Sequence, residues 1–306
     1  MDAIKTSKKK SWQSKRNWLI AIFLFGSLLG ISKVSAMYNQ VQHTMNAVYK
    51  PMQNPSKVSA QTHEPFSMLL LGVDERGQDA GRSDTMVVMT VNGQLQTTKM
   101  LSIPRDTRVE ISEKGIEDKI NHAYAFGGTE LAVQTVEEFL GIPIHYVVRV
   151  NMESFVEFID IVGGIAVQNP FEFHYEGAYF PAGELTLNGE RALQYVRMRF
   201  EDPAGDFGRQ SRQRQVLEAI FEKGKSLETL LHYEKILHVV KNHIEMNLTL
   251  EDAYAIQKNY NESLKNIESL YFQRGNGERR RGSYYYIPDA AELAEIQTML
   301  QQHLQL

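Results

Sequence analysis

Cysteine is absent from the 306 residues, which removes disulfides, thiolate metal sites and cysteine nucleophiles from consideration. No His-Glu-x-x-His signature of a zinc hydrolase occurs, and no Gly-x-Ser-x-Gly elbow of a serine hydrolase. Gly72 to Gly77 has the glycine spacing of a P-loop, but Gln78-Asp79 stands where Lys-Ser/Thr is required, so no nucleotide is expected. Internal repeats and low-complexity segments are missing too. Long apolar runs are scarce: only Trp18 to Ile31 approaches the roughly 20 residues that cross a bilayer. Excess positive charge is confined to one end. Six Lys/Arg face the single acid Asp2 in the first sixteen residues, so the net charge of −4 becomes −9 for the remainder. That acidic balance argues against nucleic acid as a partner.

The basic flank ahead of the apolar run keeps the N-terminus in the cytoplasm and sends the downstream chain outside. The expected organisation is a cytoplasmic tail over 1–16, a transmembrane signal-anchor over 17–37, a juxtamembrane stalk and linker over 38–65, and an extracytoplasmic domain over 66–306, held at the outer face of the cell membrane. Val34-Ser35-Ala36 resembles a small-residue cleavage site, so a cleaved signal peptide is the alternative. Val41, Met45 and Val48 keep helical spacing, and the Pro-, Ser-, Gln- and Asn-rich stretch up to Pro65 reads as a linker.

Phe66 to Val73 is nearly all apolar, which predicts a central strand. A polar loop from Glu75 to Arg82 precedes a second strand from Asp84 to Val91. Asn92-Gly93 suggests a hairpin turn, and a third strand runs through Met100 to Ile103 and stops at Pro104. Ile144 to Val150, Leu270 to Gln273 and Tyr284 to Ile287 read as further strands. Helices are expected from Thr129 to Leu140, after the cap Asn151, from Asn188 through Arg197, and over Gln210 to Lys223. Two more open at Thr249 and at an Asp289–Glu292 capping box. The class is α/β or α+β, with helices packed on a central sheet.

Within that frame Asp74 ends strand one, Asp84 begins strand two and Arg105 follows strand three. An antiparallel order brings all three to the same end of the sheet. Asp supplies hard oxygen donors suited to Mg²⁺, and Arg a planar charged fork that matches phosphate oxygens. Tyr195 to Arg199 and Gly208 to Gln215 add more arginines. The combination suits a diphosphate, where catalysis is mostly charge neutralisation and positioning. Arg197 and Arg199 are two residues apart, so either the helix ends between them or only one reaches the site. Taken singly, Arg212 and Arg214 read as a solvated helix face, and Arg279-Arg280-Arg281 as an exposed loop.

The motifs Leu69-Leu70-Leu71-Gly72-Val73-Asp74, Gly81-Arg82-Ser83-Asp84-Thr85-Met86, Ser102-Ile103-Pro104-Arg105-Asp106-Thr107, Lys119-Ile120-Asn121-His122-Ala123-Tyr124 and Tyr195-Val196-Arg197-Met198-Arg199 stand in this order. With Asp206-Phe207-Gly208-Arg209 and Arg212-Gln213, they resemble the LytR-CpsA-Psr family of bacterial cell-wall enzymes from about Phe66 to Lys223. The resemblance implies an α/β/α sandwich with a central mixed sheet and a hydrophobic groove for lipid. It implies a phosphotransferase that moves an anionic glycopolymer, of the wall teichoic acid kind, from its polyprenyl diphosphate carrier to peptidoglycan. By motif position, Asp74 and Asp84 would hold Mg²⁺ or Mn²⁺. Arg82, Arg105, Lys119, Arg197, Arg199, Arg209 and Gln213 would contact the diphosphate, with Arg105 and Asp84 closest to the chemistry. A polyprenyl diphosphate hydrolase, or a noncatalytic polymer-binding or regulatory protein, are the alternatives. Residues past Gly224 match no motif.

Overall fold

The computed structural model describes residues 32–52, 60, 62–74, 81–199, 201–224 and 232–306. The expected basic tail, most of the expected anchor, and much of the linker and of the Glu75 to Arg82 loop lie outside them. No helix among the described residues is long and apolar enough to cross a membrane. The chain divides into two units, Met1–Thr44 and Met45–Leu306. Residues 32–48 are helical, as the spacing of Val41, Met45 and Val48 predicts.

The second unit is built on a six-stranded mixed sheet. Its order is β11 (Ile244–Met246), β6 (Tyr146–Asn151), β1 (Phe66–Val73), β2 (Ser83–Asn92), β3 (Thr97–Ser102) and β12 (Ile267–Leu270). β1, β2 and β3 form an antiparallel meander, while β6 runs parallel to β1 and β12 parallel to β3. β1 is nearly all apolar because both of its faces are covered. Leu69, Leu71 and Val73 pack with Leu131, Val136 and Leu140 of helix His122–Leu140 and with Ile296 and Leu300 of helix Ala290–Leu304. Met68 and Leu70 turn the other way, towards Val87, Met89, Met100, Leu217 and Leu264. Helices therefore lie on both faces of an α/β sheet.

Among the described residues, four two-stranded ribbons accompany the sheet: β4 (Arg108–Ile111) with β5 (Ile116–Lys119), β7 (Ile165–Asn169) with β10 (Gly183–Leu187), β8 (Phe173–Tyr175) with β9 (Ala178–Phe180), and β13 (Gly275–Arg280) with β14 (Ser283–Pro288). β13 corrects the expectation of an exposed loop at Arg279-Arg280-Arg281. The arginines are exposed, but Arg279 and Arg280 are paired strand residues. Gly-Asn-Gly-Glu-Arg-Arg has little β-propensity of its own, and the tyrosines of β14 supply the pairing surface that propensity omits. The turn after Asn92 is also longer than the two-residue form. Asn92 Oδ1 accepts from the amides of Gln94 and Leu95 (3.0 and 2.9 Å), which stabilises a four-residue loop before Thr97. The helix expected from Thr129 extends back to His122 across a kink at Gly127 and Gly128, the latter at φ 65°. The capping box at Asp289 is half formed. Asp289 caps the Glu292 amide, but the Glu292 carboxylate accepts instead from the amides of Gln273 and Arg274, tying the helix to the preceding segment.

His303 is a buried core residue between two threonine hydroxyls, Thr90 Oγ1 at 2.8 Å and Thr97 Oγ1 at 2.9 Å. Burial, helped by the Lys99 charge and opposed by Glu268, pushes its pKa from 6.5 down to about 4. The folded state thus resists a proton that the unfolded state accepts. Stability contributed by the neutral ring is complete above about pH 6.5 and is lost as pH falls towards 4. We expect about 3 kcal/mol of acid destabilisation from this group. Denaturant titrations of the wild type and of His303→Gln between pH 7 and 4 check it, because the variant should lose that slope.

Candidate active site

The end of the β1–β2 ladder carries an irregularity. Gly72 pairs with Thr85 and Val73 with Ser83, so Asp84 is the extra residue of a β-bulge. A bulge bends the strand and re-aims the side chain it frees. Gly72 permits it: a Cβ there would lie 3.0 Å from Thr85 Cβ and 3.1 Å from Met152 Cε. Asp74 leaves β1 next to it, its amide held by the Arg82 carbonyl at 3.3 Å. Arg105, just past the end of β3, returns to place Nη1 2.9 Å from Asp84 Oδ1. All three residues therefore meet at one sheet end, as the antiparallel order requires.

Arg197 arrives from elsewhere in the chain. Helix Gly189–Arg197 is opened by Asn188, whose side chain accepts from the Arg191 amide. It crosses helix Met152–Ile161 so closely that a Cβ on Gly189 would sit 2.1 Å from the Val156 carbonyl oxygen. The helix ends at Arg197, whose Nη2 lies 3.1 Å from Asp74 Oδ2. Arg199 lies beyond the end of the helix, which resolves the two-residue spacing: helical geometry no longer separates the pair. Tyr175 registers the convergence. Burial and Glu176 push its phenol up, while the Arg197 and Arg105 charges pull it back.

A second charged group adjoins the first. Asp106 is buried, with Lys119 Nζ at 2.8 Å from Oδ1 and Arg199 Nη1 at 3.8 Å from Oδ2. Lys119 is therefore engaged by a carboxylate. Arg105, the immediate neighbour, pairs with Asp84 instead of Asp106. Arg209 is buried on helix Asp206–Gly224, with half-buried Gln213 one turn later on the same side. Arg82 exposes its side chain at the strand end.

Arg212 and Arg214 overturn the solvated-face expectation. Arg212 is 1% exposed; its guanidinium pairs with Asp202 and donates to the carbonyls of Met198 and Tyr195, the last at 2.9 Å. It clamps the backbone on both sides of Arg197. Arg214 reaches Ser102 Oγ at 3.2 Å and lies over the Tyr271 ring. A helix that carries cations on several faces is buried here because its partners are carbonyls and a carboxylate, a pairing invisible in the helix's own sequence.

The residues missed by motif reading are the tyrosines of β14. The Tyr286 amide donates to the Asp106 carbonyl at 2.9 Å. Tyr284 lies under Arg199 (5.7 Å) and Tyr285 under Lys119 (5.6 Å). Tyr285 also donates to Asp118 at 3.2 Å, which in turn holds His122 Nδ1 at 2.8 Å. Burial raises the Asp118 pKa, but the hydrogen bonds from His122, the Lys119 amide and Tyr285 outweigh it and the net shift is down. Three consecutive tyrosines thus buttress the charged loop. Their only trace in sequence is an aromatic strand far from every motif.

Among the described residues no cluster of three or more His, Cys, Asp or Glu could by itself hold a metal ion. Two carboxylates at one strand end, supplemented by ligand oxygens, are still the donor set that Mg²⁺ uses with phosphorylated ligands. The residues present fit that role.

Fold and site together define an α/β protein with an arginine–carboxylate cluster at one sheet end, suited to a diphosphate ligand. Residues 31–302 match the profile of the LytR_cpsA_psr family, and the chain belongs to that family. It is 43% identical over 308 residues to the polyisoprenyl-teichoic acid–peptidoglycan teichoic acid transferase TagU of Bacillus licheniformis, covering 99% of both chains. The crystal structure of B. subtilis TagU superposes with a TM-score of 0.63 at 45% identity, over 79% of this chain and 97% of that one. TagT bound to LIIa-WTA superposes at 0.69 and 35% identity, over 83% and 95%.

Proposed function

We propose that this protein transfers a teichoic-acid-type glycopolymer from a polyprenyl diphosphate carrier to peptidoglycan. The observation that carries the reading is the meeting of Asp74, Asp84, Arg105 and Arg197 at one sheet end, in a chain similar along nearly its whole length to a transferase of that name. The acceptor hydroxyl attacks the phosphorus that bears the glycan and releases its proton to solvent, the bond from that phosphorus to the bridging oxygen breaks, and polyprenyl phosphate leaves with that oxygen. Arg105 and Arg197 neutralise the oxygens where charge accumulates, with Arg82, Arg199, Arg209 and Gln213 around them. Lys119 acts at one remove, by fixing Asp106.

Asp74 and Asp84 would hold Mg²⁺ or Mn²⁺, which supplies further charge neutralisation at the diphosphate. Each acid is paired with one arginine nitrogen in the structure, so ligand binding would exchange Arg–Asp contacts for Arg–phosphate contacts. The basic tail and apolar run place the domain outside a single membrane anchor; protection from protease added to intact protoplasts would overturn that topology.

The deciding experiment incubates the protein with a synthetic polyprenyl diphosphate-linked disaccharide and peptidoglycan fragments. Glycan joined to the fragments is the expected product. Free glycan phosphate, with or without acceptor, would favour the hydrolase. Chelator should suppress transfer, and Asp84→Asn should weaken Mn²⁺ binding by calorimetry; unchanged binding in that variant and in Asp74→Ala would remove both acids as ligands.

A further inference from the structure

The β13–β14 hairpin borders a cavity of about 600 Å³ lined by Asp106, Arg199, Phe207, Arg279, Tyr284 and Tyr286 among others. Its wall is a constructed surface. A Cβ on Gly275 would lie 2.3 Å from Tyr286 Oη, and one on Gly277 2.6 Å from Tyr284 Cε2. Both glycines leave room for tyrosine rings to lie across β13. Gly277 is paired with Tyr286 and Arg279 with Tyr284, so these four side-chain positions share one face of the ribbon. The amide of Tyr286 anchors that face to Asp106, one residue from Arg105.

The three arginines of this hairpin are not equivalent. Arg280 is held by Glu278 at 2.5 Å, and Arg281 sits in the turn at φ 49°. Arg279 lines the cavity and has no ion-pair partner among the described residues. The exposed edge of Tyr284 and an available guanidinium suit a ligand that carries a carboxylate: the ring edge packs on its apolar surface and Arg279 pairs with the acid. In the transferase reading the donor diphosphate is held at the sheet end by Asp84, Arg105, Asp74 and Arg197, which leaves the cavity beside Arg199 for the other substrate.

We propose that this cavity is the acceptor subsite, and that Arg279 binds a free carboxylate of the peptidoglycan stem peptide. The inference rests on the transferase reading. It is tested with the full chain, a saturating lipid diphosphate donor, and peptidoglycan fragments whose carboxylates are free or amidated. Arg279→Ala should raise the acceptor KM about tenfold, as expected for loss of a charge-assisted hydrogen bond, with kcat and donor KM unchanged. The increase should shrink with amidated fragments, and Arg281→Ala should change neither constant. An unchanged acceptor KM overturns the proposal, as does a rise in donor KM, which would assign the cavity to the donor's glycan. Calorimetric binding of the free-acid fragments does not depend on turnover and should weaken in parallel. Equal binding by wild type and Arg279→Ala overturns the subsite. Wild-type protein that binds fragments and transfers nothing overturns the transferase reading alone.

Discussion

Arg105→Ala should lower kcat by a factor on the order of 10² or more while donor KM changes much less. Arg105 leaves β3 at the sheet end where the bulge presents Asp84, and Pro104 stiffens the backbone before it. Its guanidinium sits 2.9 Å from a carboxylate that would be drawn towards a cation when substrate binds, so the fork is poised for phosphate. Ground-state binding can fall back on Arg82, Arg197, Arg199 and Arg209. Charge that develops only in the transition state has no such reserve. Arg105→Lys keeps the charge and loses the planar pair of donors, so it should recover part of the rate and not all of it. Single-turnover rates measured beside a melting curve decide the matter. A variant that melts several degrees lower but keeps near-normal kcat would make Arg105 a structural partner of Asp84 and nothing more.

Arg212→Ala should be the most destabilising of the arginine replacements. It leaves the Asp202 carboxylate, with 2% side-chain exposure, buried without its cation, and it releases the carbonyls of Tyr195 and Met198. Removing one partner of a buried pair costs about 3–5 kcal/mol. For a domain of this size that corresponds to a melting temperature lower by roughly 6–20 °C. Asp202→Ala should cost a similar amount, and the double variant less than the sum, because no unpaired charge then remains buried. Donor KM should also rise in Arg212→Ala, since the clamp fixes the backbone that presents Arg197 and Arg199. Differential scanning calorimetry over the full cycle provides the test; additivity within about 0.5 kcal/mol would mean the pair is not coupled.

Much of the fold is legible in the order of residues alone. The continuous apolar run Phe66 to Val73 announces a strand covered on both faces, and alternation of turns and strands gives the β1–β2–β3 meander. From the meander alone Asp74, Asp84 and Arg105 have to share one sheet end, because antiparallel strands return each chain end to the same side. Short-range rules also hold where local chemistry dominates: Asn188 and Thr249 cap their helices, and Gly141 ends one in the left-handed conformation. Membership of the family is legible from residue types at fixed spacing.

Other features depend on contacts between segments far apart in the chain. Which arginine faces which acid is one: Arg197 meets Asp74 across 123 residues because Gly189 lets two helices touch. Arg212 looks like a surface cation until the carbonyls of another helix close around it. Asp84 is aimed by a bulge that depends on the register of two strands, and the Tyr284-Tyr285-Tyr286 buttress comes from the part of the chain without motifs. Sequence determined the elements, the chemistry available and the end of the sheet where it gathers, since those follow from local propensity and strand direction. Tertiary structure decided burial and pairing of the charges, because the energy of a buried ion is set by neighbours that only the folded chain brings within a few ångströms.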